Sequence, residues 1–383
     1  MIQNICILGD HIQALGLSRM ASAVGLNVEL FSDYNASITR FSNTCKRFHL
    51  FKNEIDLLQK LSSFNASENT VLVPTNDKLV TFIRNNYREL SEKFLLSVSV
   101  PEILDICLNK KTTYLKASEL GIPFPESYFP QNLEDLIELS NKLDFPVIIK
   151  PAIMYIFYSK TGIKVYECNN PSELIINYKK FISGNNPEDV IIQEKLTGGA
   201  KNLFSFGAYA INGRVVASFV ANRPRQKPMD FGISTCFAKT VIIEEVEKRA
   251  CQFLNAINYS GMAEVEFMFD PKTNQYKLIE INPRSWKWHS IANKLNINLI
   301  EIMVQSMNGI PVHTKRNELV NIGWIERLTD SWIVLKEILK GQLSFQEYFQ
   351  SLKINKEYAC WSWEDPLPAI MYIILSPYLL IKR

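Results

Sequence analysis

The sequence predicts an α/β amino-terminal domain over residues 1–100, an α+β region over 101–312 and a helical carboxy-terminal extension over 313–383. Three observations lead there. The chain opens on strand, turn, helix and strand; its middle carries short apolar runs joined by hairpin signals; and its last part carries helical apolar spacing with little else. At 383 residues the chain is too long for one ordinary core, so two or three packed units are expected.

Asn4–Leu8 reads as a buried strand, Gly9 and Asp10 as a turn, 11–24 as a helix and 27–31 as a second strand. The single glycine turn lacks Gly-x-Gly-x-x-Gly and does not indicate a dinucleotide site. A strand at 71–73 followed by Pro74, Thr75, Asn76 and Asp77 repeats the pattern, which implies a parallel sheet. From Leu108 a helix is expected to Leu120, ended by Gly121, with Pro123 and Pro125 in the loop beyond and another helix over 133–143. Strands follow at 147–150, Val190–Glu194, 204–211 and 215–222, and Asn212-Gly213 between the last two is a hairpin turn.

Composition narrows the partners. Hydrophobic residues make up 47% and charged residues 21%, which suits a folded globular protein and excludes a disordered one. A net charge of +3 is too weak a field to argue for nucleic acid. The seven cysteines are scattered with no Cys-x-x-Cys pair, so reduced thiols are expected and a zinc site is not. The apolar start has no basic leader, and a cytoplasmic location is the expectation. Residues 366–383 are strongly apolar but interrupted by Pro368 and Pro377. They read as a buried terminal helix, with contact at a membrane surface as the alternative.

The chemistry concentrates in 262–269 and 276–284, two strands joined by a polar turn. Alternation puts Ala263, Val265, Phe267 and Phe269 on one face and Glu264 and Glu266 on the other, while Glu280 and Asn282 share a face of the second strand. If the polar faces coincide, carboxylates crowd, and crowded carboxylates need a cation. Two carboxylates and an amide suit magnesium.

Glu266 and the segment Leu278 to Arg284 resemble the metal-binding hairpin of the ATP-grasp superfamily. Three further motifs occur in the family's order: Asn109-Lys110 before a helix that ends at Gly121-Ile122-Pro123, Phe145-Pro146 with the strand closing on Lys150, and Ile191 to Leu196. The resemblance implies ATP and Mg2+ as cofactors, with magnesium on Glu266, Glu280 and Asn282. It places Lys110 and Lys150 on the phosphates, Glu194 with the backbone of Lys195 and Leu196 at adenine, and Arg284 against charge on the transferring phosphoryl group.

The segment departs from the family at 152–158, where many relatives have a glycine-rich flap and this chain has Gly162 only later. Lys164 then supplies the missing charge, and that pattern resembles the branch containing D-aspartate ligase, akin to carbamoyl phosphate synthase. The ribose contact has no candidate. Residues 222–235 read as a shaped loop whose Arg225 recognises a carboxylate through its planar fork. Trp286, Trp288 and His289 either line the substrate cavity or pack in the core. The expected function is ligation of a small carboxylate to an amine through an acyl phosphate. The rivals are a bicarbonate-activating carboligase and a non-catalytic nucleotide-binding module.

Overall fold

The computed structural model describes the chain except residues 65–68, 156, 158–162, 184–185, 233 and 383, and for 378–382 it describes the backbone alone. Residues 156 and 158 of the segment 152–158, which departs from the family's glycine-rich flap, and the later Gly162 therefore lie outside the described residues.

Strands β1 (Asn4–Leu8), β2 (Asn27–Ser32), β3 (Cys45–Leu50), β4 (Thr70–Pro74) and β5 (Leu95–Leu96) form a parallel sheet in the order β3-β2-β1-β4-β5. The helix His11–Ala23 covers it, burying Leu15, Leu17 and Met20, and the alternation expected of the opening segment is realised. The helix expected from Leu108 to Leu120 is realised as Lys110–Glu119, and a further helix, Pro101–Leu108, stands end to end with it. Asn109 separates them with extended backbone, and its side chain accepts from Lys111 N at 2.9 Å, so it caps the second helix. The break sets Lys110 at a helix start, facing inward.

Strands β6 (Ser127–Tyr128), β7 (Val147–Pro151), β8 (Tyr166–Cys168) and β9 (Val190–Glu194) form a small antiparallel sheet in the order β6-β9-β7-β8. Its apolar face is packed by Leu136, Leu174, Tyr178 and Phe181 from the helices Leu133–Ser140 and Pro171–Ile182. The larger sheet contains β10 (Leu203–Ile211), β11 (Arg214–Lys227), β12 (Ser234–Val241), β13 (Gly261–Asp270) and β14 (Gln275–Asn282). Its order is β14-β13-β10-β11-β12 and then onward to two strands from the extension. Those are β16 (Gly323–Ile325) and β17 (Lys356–Tyr358), while the short β15 (Lys315–Arg316) pairs with β11. The extension is thus more than helical: it completes the central sheet.

Two expectations are corrected here. The stretch read as a loop from 222 is mostly strand, because β11 runs on to Lys227. The last helix, Leu367–Lys382, is only half buried: Ala369 is enclosed, whereas Ile373 and Ile374 are 64% and 61% exposed.

Trp286, Trp288 and His289 belong to the core between the first domain and the central sheet. Gly207 makes room for this packing, since a Cβ there would lie 2.3 Å from the Trp286 ring. His289 donates from Nδ1 to Trp286 O at 2.6 Å, and burial holds it down at about 4, so it is neutral.

Candidate active site

A cleft opens between the small sheet and the β13-β14 edge of the large one. It has two adjoining chambers of about 410 Å³ and 240 Å³ that share Lys110, Lys164, Gln226, Glu266 and Glu280 in their walls.

The paired strands bring the carboxylates together as alternation predicts. Glu266 stands opposite Glu280 and Glu264 opposite Asn282 across β13 and β14. On the other face Val265, Phe267 and Leu278 are fully buried, and that burial fixes the register, since a slip of one residue would reverse every side chain. A bulge beside Glu266 lets Ile279 O turn toward Tyr114, whose hydroxyl donates to it at 2.7 Å.

The carboxylates are not left bare. Arg223 donates to Glu264 at 3.2 Å and closely to Glu266, while Lys110 donates to Glu280. Asn282 Nδ2 donates to Glu264 at 3.1 Å and to Glu266 at 3.2 Å, and Trp288 Nε1 donates to Glu264 at 2.8 Å. Even so, burial first, and then the neighbouring Glu280 and Glu264, push Glu266 up to about 7 against the pull of Arg223. Glu280 goes the other way: burial would raise it, but Lys110, Lys164 and Lys150 together hold it below the usual carboxylate range.

Lys150 is the penultimate residue of β7 and lines the larger chamber, donating to Tyr114 Oη at 2.8 Å and Gln193 Oε1 at 2.7 Å. Burial, reinforced by Lys110, drives it well below the ordinary lysine range. Lys164 donates to Gly232 O at 2.7 Å and is also lowered, chiefly by burial. Glu194, Lys195 and Leu196 border the same chamber. Glu194 accepts from Glu126 N at 2.9 Å and pairs with Lys277, and Lys195 pairs with Glu167 at 2.7 Å.

Arg284 lines the smaller chamber, and its guanidinium clasps Asp77 of the first domain at 2.6 and 3.1 Å. It also donates to Asn282 Oδ1 at 3.0 Å and Ser285 O at 2.9 Å. The turn after β4 therefore reaches the site through Asp77.

Arg225 is the expected site residue that the structure does not bring into the cleft. It lines neither chamber, and its guanidinium is clamped on Asp330 of the helix Arg327–Leu339 at 2.6 and 3.0 Å, over the ring of Phe237. The cause is a bulge at Pro224: Asn222 pairs with Lys239 and Arg225 with Phe237, so three steps on β11 oppose two on β12. In a regular strand Arg223 and Arg225 would share a face; here they part, and Arg223 takes the site. Because Asp330 is fully buried, Arg225→Ala should cost about 3–5 kcal/mol of stability in urea unfolding. A variant as stable as the parent would show that the pair holds nothing together.

Sequence reasoning missed Arg223, Gln226, Asp77 and Tyr114. Arg223 carried a signal, a second arginine two residues from the one chosen, but its face depended on the bulge. Among the described residues no group of three or more His, Cys, Asp or Glu could hold a metal ion by itself. The available donor set is two carboxylates and an amide.

The family described as carbamoyl-phosphate synthase L chain, ATP binding domain, matches residues 232–315, a segment that contains β13 and β14. A D-aspartate ligase of Enterococcus faecium (strain Aus0004) is 22% identical over 321 residues, spanning 78% of this chain and 75% of that protein. A carbamoyl phosphate synthase large chain of Thermoanaerobacter pseudethanolicus (strain ATCC 33223 / 39E) is 26% identical over 188 residues, which is 47% of this chain and 17% of that one. The biotin carboxylase of Campylobacter jejuni, solved as a beta-gamma-ATP complex, shares the fold with a TM-score of 0.67 at 15% identity, over 84% of this chain and 74% of that chain.

Proposed function

We propose, from the premise that this chain belongs to the ATP-grasp superfamily, that it is an ATP-dependent ligase which activates a carboxylate as an acyl phosphate and passes the acyl group to an amine. The observation that carries this reading is the unbalanced charge of the cleft. On one wall stand Lys110, Lys150 and Lys164, two of them held below the ordinary lysine range; on the other stands Glu266, pushed up to about 7. A polyphosphate beside the lysines and a divalent cation beside the carboxylates relieve both at once.

Glu266, Glu280 and Asn282 fit such a cation, being hard oxygen donors on facing strands whose own cations leave Glu266 undercompensated. Magnesium held there supplies charge neutralisation to the phosphate oxygens during transfer. Lys150, its ammonium fixed by Tyr114 and Gln193, and Lys110, fixed by Glu280, orient the phosphates. The larger chamber offers Ile148, Met268 and Ile279 as apolar walls for a base beside Glu194, Lys195 and Leu196.

The smaller chamber is assigned to the acid. Arg223 lines that chamber, and its planar guanidinium suits a carboxylate or its acyl phosphate. Arg284 makes four of its five possible N–H contacts within the protein, so its part is to hold Asn282 and Asp77, with one donor left for the transferring group. In the reaction a carboxylate oxygen bonds to the γ-phosphorus as the bond to the β-phosphate oxygen breaks and ADP leaves. The amine nitrogen then bonds to the acyl carbon, phosphate departs, and the nitrogen gives up a proton.

A bicarbonate-activating reading draws on the match of 232–315 to the carbamoyl-phosphate synthase family and on the small size of the acid chamber. ADP release measured across amino acids and small carboxylates, singly and in pairs, separates the two. Release that requires an acid and an amine together is the expected result. Release with bicarbonate alone would favour the second reading, and none with any acid would end both.

A further inference from the structure

The last helix carries apolar residues on two opposite faces. Ala369 and Tyr372 pack inward on the core shared with the first domain. Leu367, Ile370, Ile373 and Ile374, spaced to share the other face, are 47%, 45%, 64% and 61% exposed. Between Asp365 and Lys382 the sequence has no charged residue. Trp361 and Trp363 precede the helix as a T-shaped pair, and Trp363 is 86% exposed. Leu328 stands with Trp361, Trp363 and Ile373 around one wide concavity whose walls also carry charged residues.

Charged residues, among them Arg327, Lys356, Glu357 and Glu364, border this surface on the concavity side, whereas the exposed face of the helix itself carries no charge. A bilayer makes one demand: every backbone polar group must be satisfied internally. Pro377 lacks the N–H that would bond to Ile373 O, and the Ser376 hydroxyl donates to that same carbonyl at 2.8 Å. Water would serve the carbonyl of an exposed helix; in lipid the side chain must. The exposed tryptophan ahead of the helix matches the chemistry of the headgroup layer.

We propose that this extension seats the protein on a lipid bilayer, with the Leu367, Ile370, Ile373 and Ile374 face of the last helix immersed at the level of the headgroups and upper acyl chains. The helix lies on the membrane and does not cross it: among the described residues no helix is long and apolar enough for that. The surface is distinct from the cleft, so seating and ligation are separable.

The test is co-sedimentation of the full chain with phosphatidylcholine vesicles, with and without phosphatidylglycerol, at low and high salt. The protein should pellet with neutral vesicles, with a salt-insensitive component. Ile373→Asp together with Ile374→Asp should lower vesicle affinity about tenfold or more. Both positions are exposed, so circular dichroism and the melting temperature should match the parent. Absence of the parent from every vesicle pellet would overturn the proposal. So would binding confined to phosphatidylglycerol and abolished by salt, or binding untouched by the double variant. If the parent ignored vesicles but sedimented as a dimer that the double variant dissociated, the face would belong to a second copy and the lipid assignment would be wrong.

Discussion

Glu280→Gln should depress acid-dependent ADP release at least about a hundredfold, given that even an outer partner of a bound metal is worth ten- to a hundredfold. Glu280 faces Glu266 across the paired strands and is the carboxylate around which Lys110, Lys150 and Lys164 gather. Its loss would remove one charge from the cation site and leave three lysines with less to oppose them. The fold should survive, because Val265, Phe267 and Leu278 hold the hairpin from its other face. Raising magnesium should recover part of the rate, a rescue that a misfolded variant could not show. A folded variant releasing ADP at the parent rate at ordinary magnesium would remove Glu280 from the cation site.

Arg223→Lys should lower turnover by about 10²–10³, the range seen when one donor to a developing charge is lost. Lysine keeps the charge but lacks the planar fork that spans Glu264 and Glu266 beside the smaller chamber. Nucleotide affinity, which this reading assigns to the lysines of the other chamber, should stay near the parent value by calorimetry. If ATP affinity collapsed while the apparent affinity for the acid held, Arg223 would belong to the nucleotide side. Arg225→Ala, which acts on Asp330 outside the cleft, should instead lower stability and leave turnover near normal at temperatures where the protein is folded.

Local pattern made much of the fold legible. Asn4–Leu8 and Val190–Glu194 begin and end where apolar runs and turn residues place them, because each is a short buried strand bounded by polar residues. The β13-β14 pair was legible for a stronger reason: period-2 spacing and a polar turn fix both faces and register together. The run of β11 through Pro224 was not legible, because one residue interrupts a favourable local pattern and only the pairing partner shows whether the strand stops, bends or bulges.

The sequence by itself determined the α/β opening, the carboxylate face of the hairpin and the placing of Lys150 at a strand end, because these follow from side-chain periodicity within one element. Only the tertiary structure decided which arginine enters the cleft, which chain segment answers Arg284, and whether Trp288 lines a cavity or supports Glu264. Each of those choices depends on groups far apart in sequence: Asp77 with Arg284, Asp330 with Arg225, Glu264 with Trp288. A buried charge must find a partner wherever the fold supplies one, and no local periodicity encodes which partner that will be.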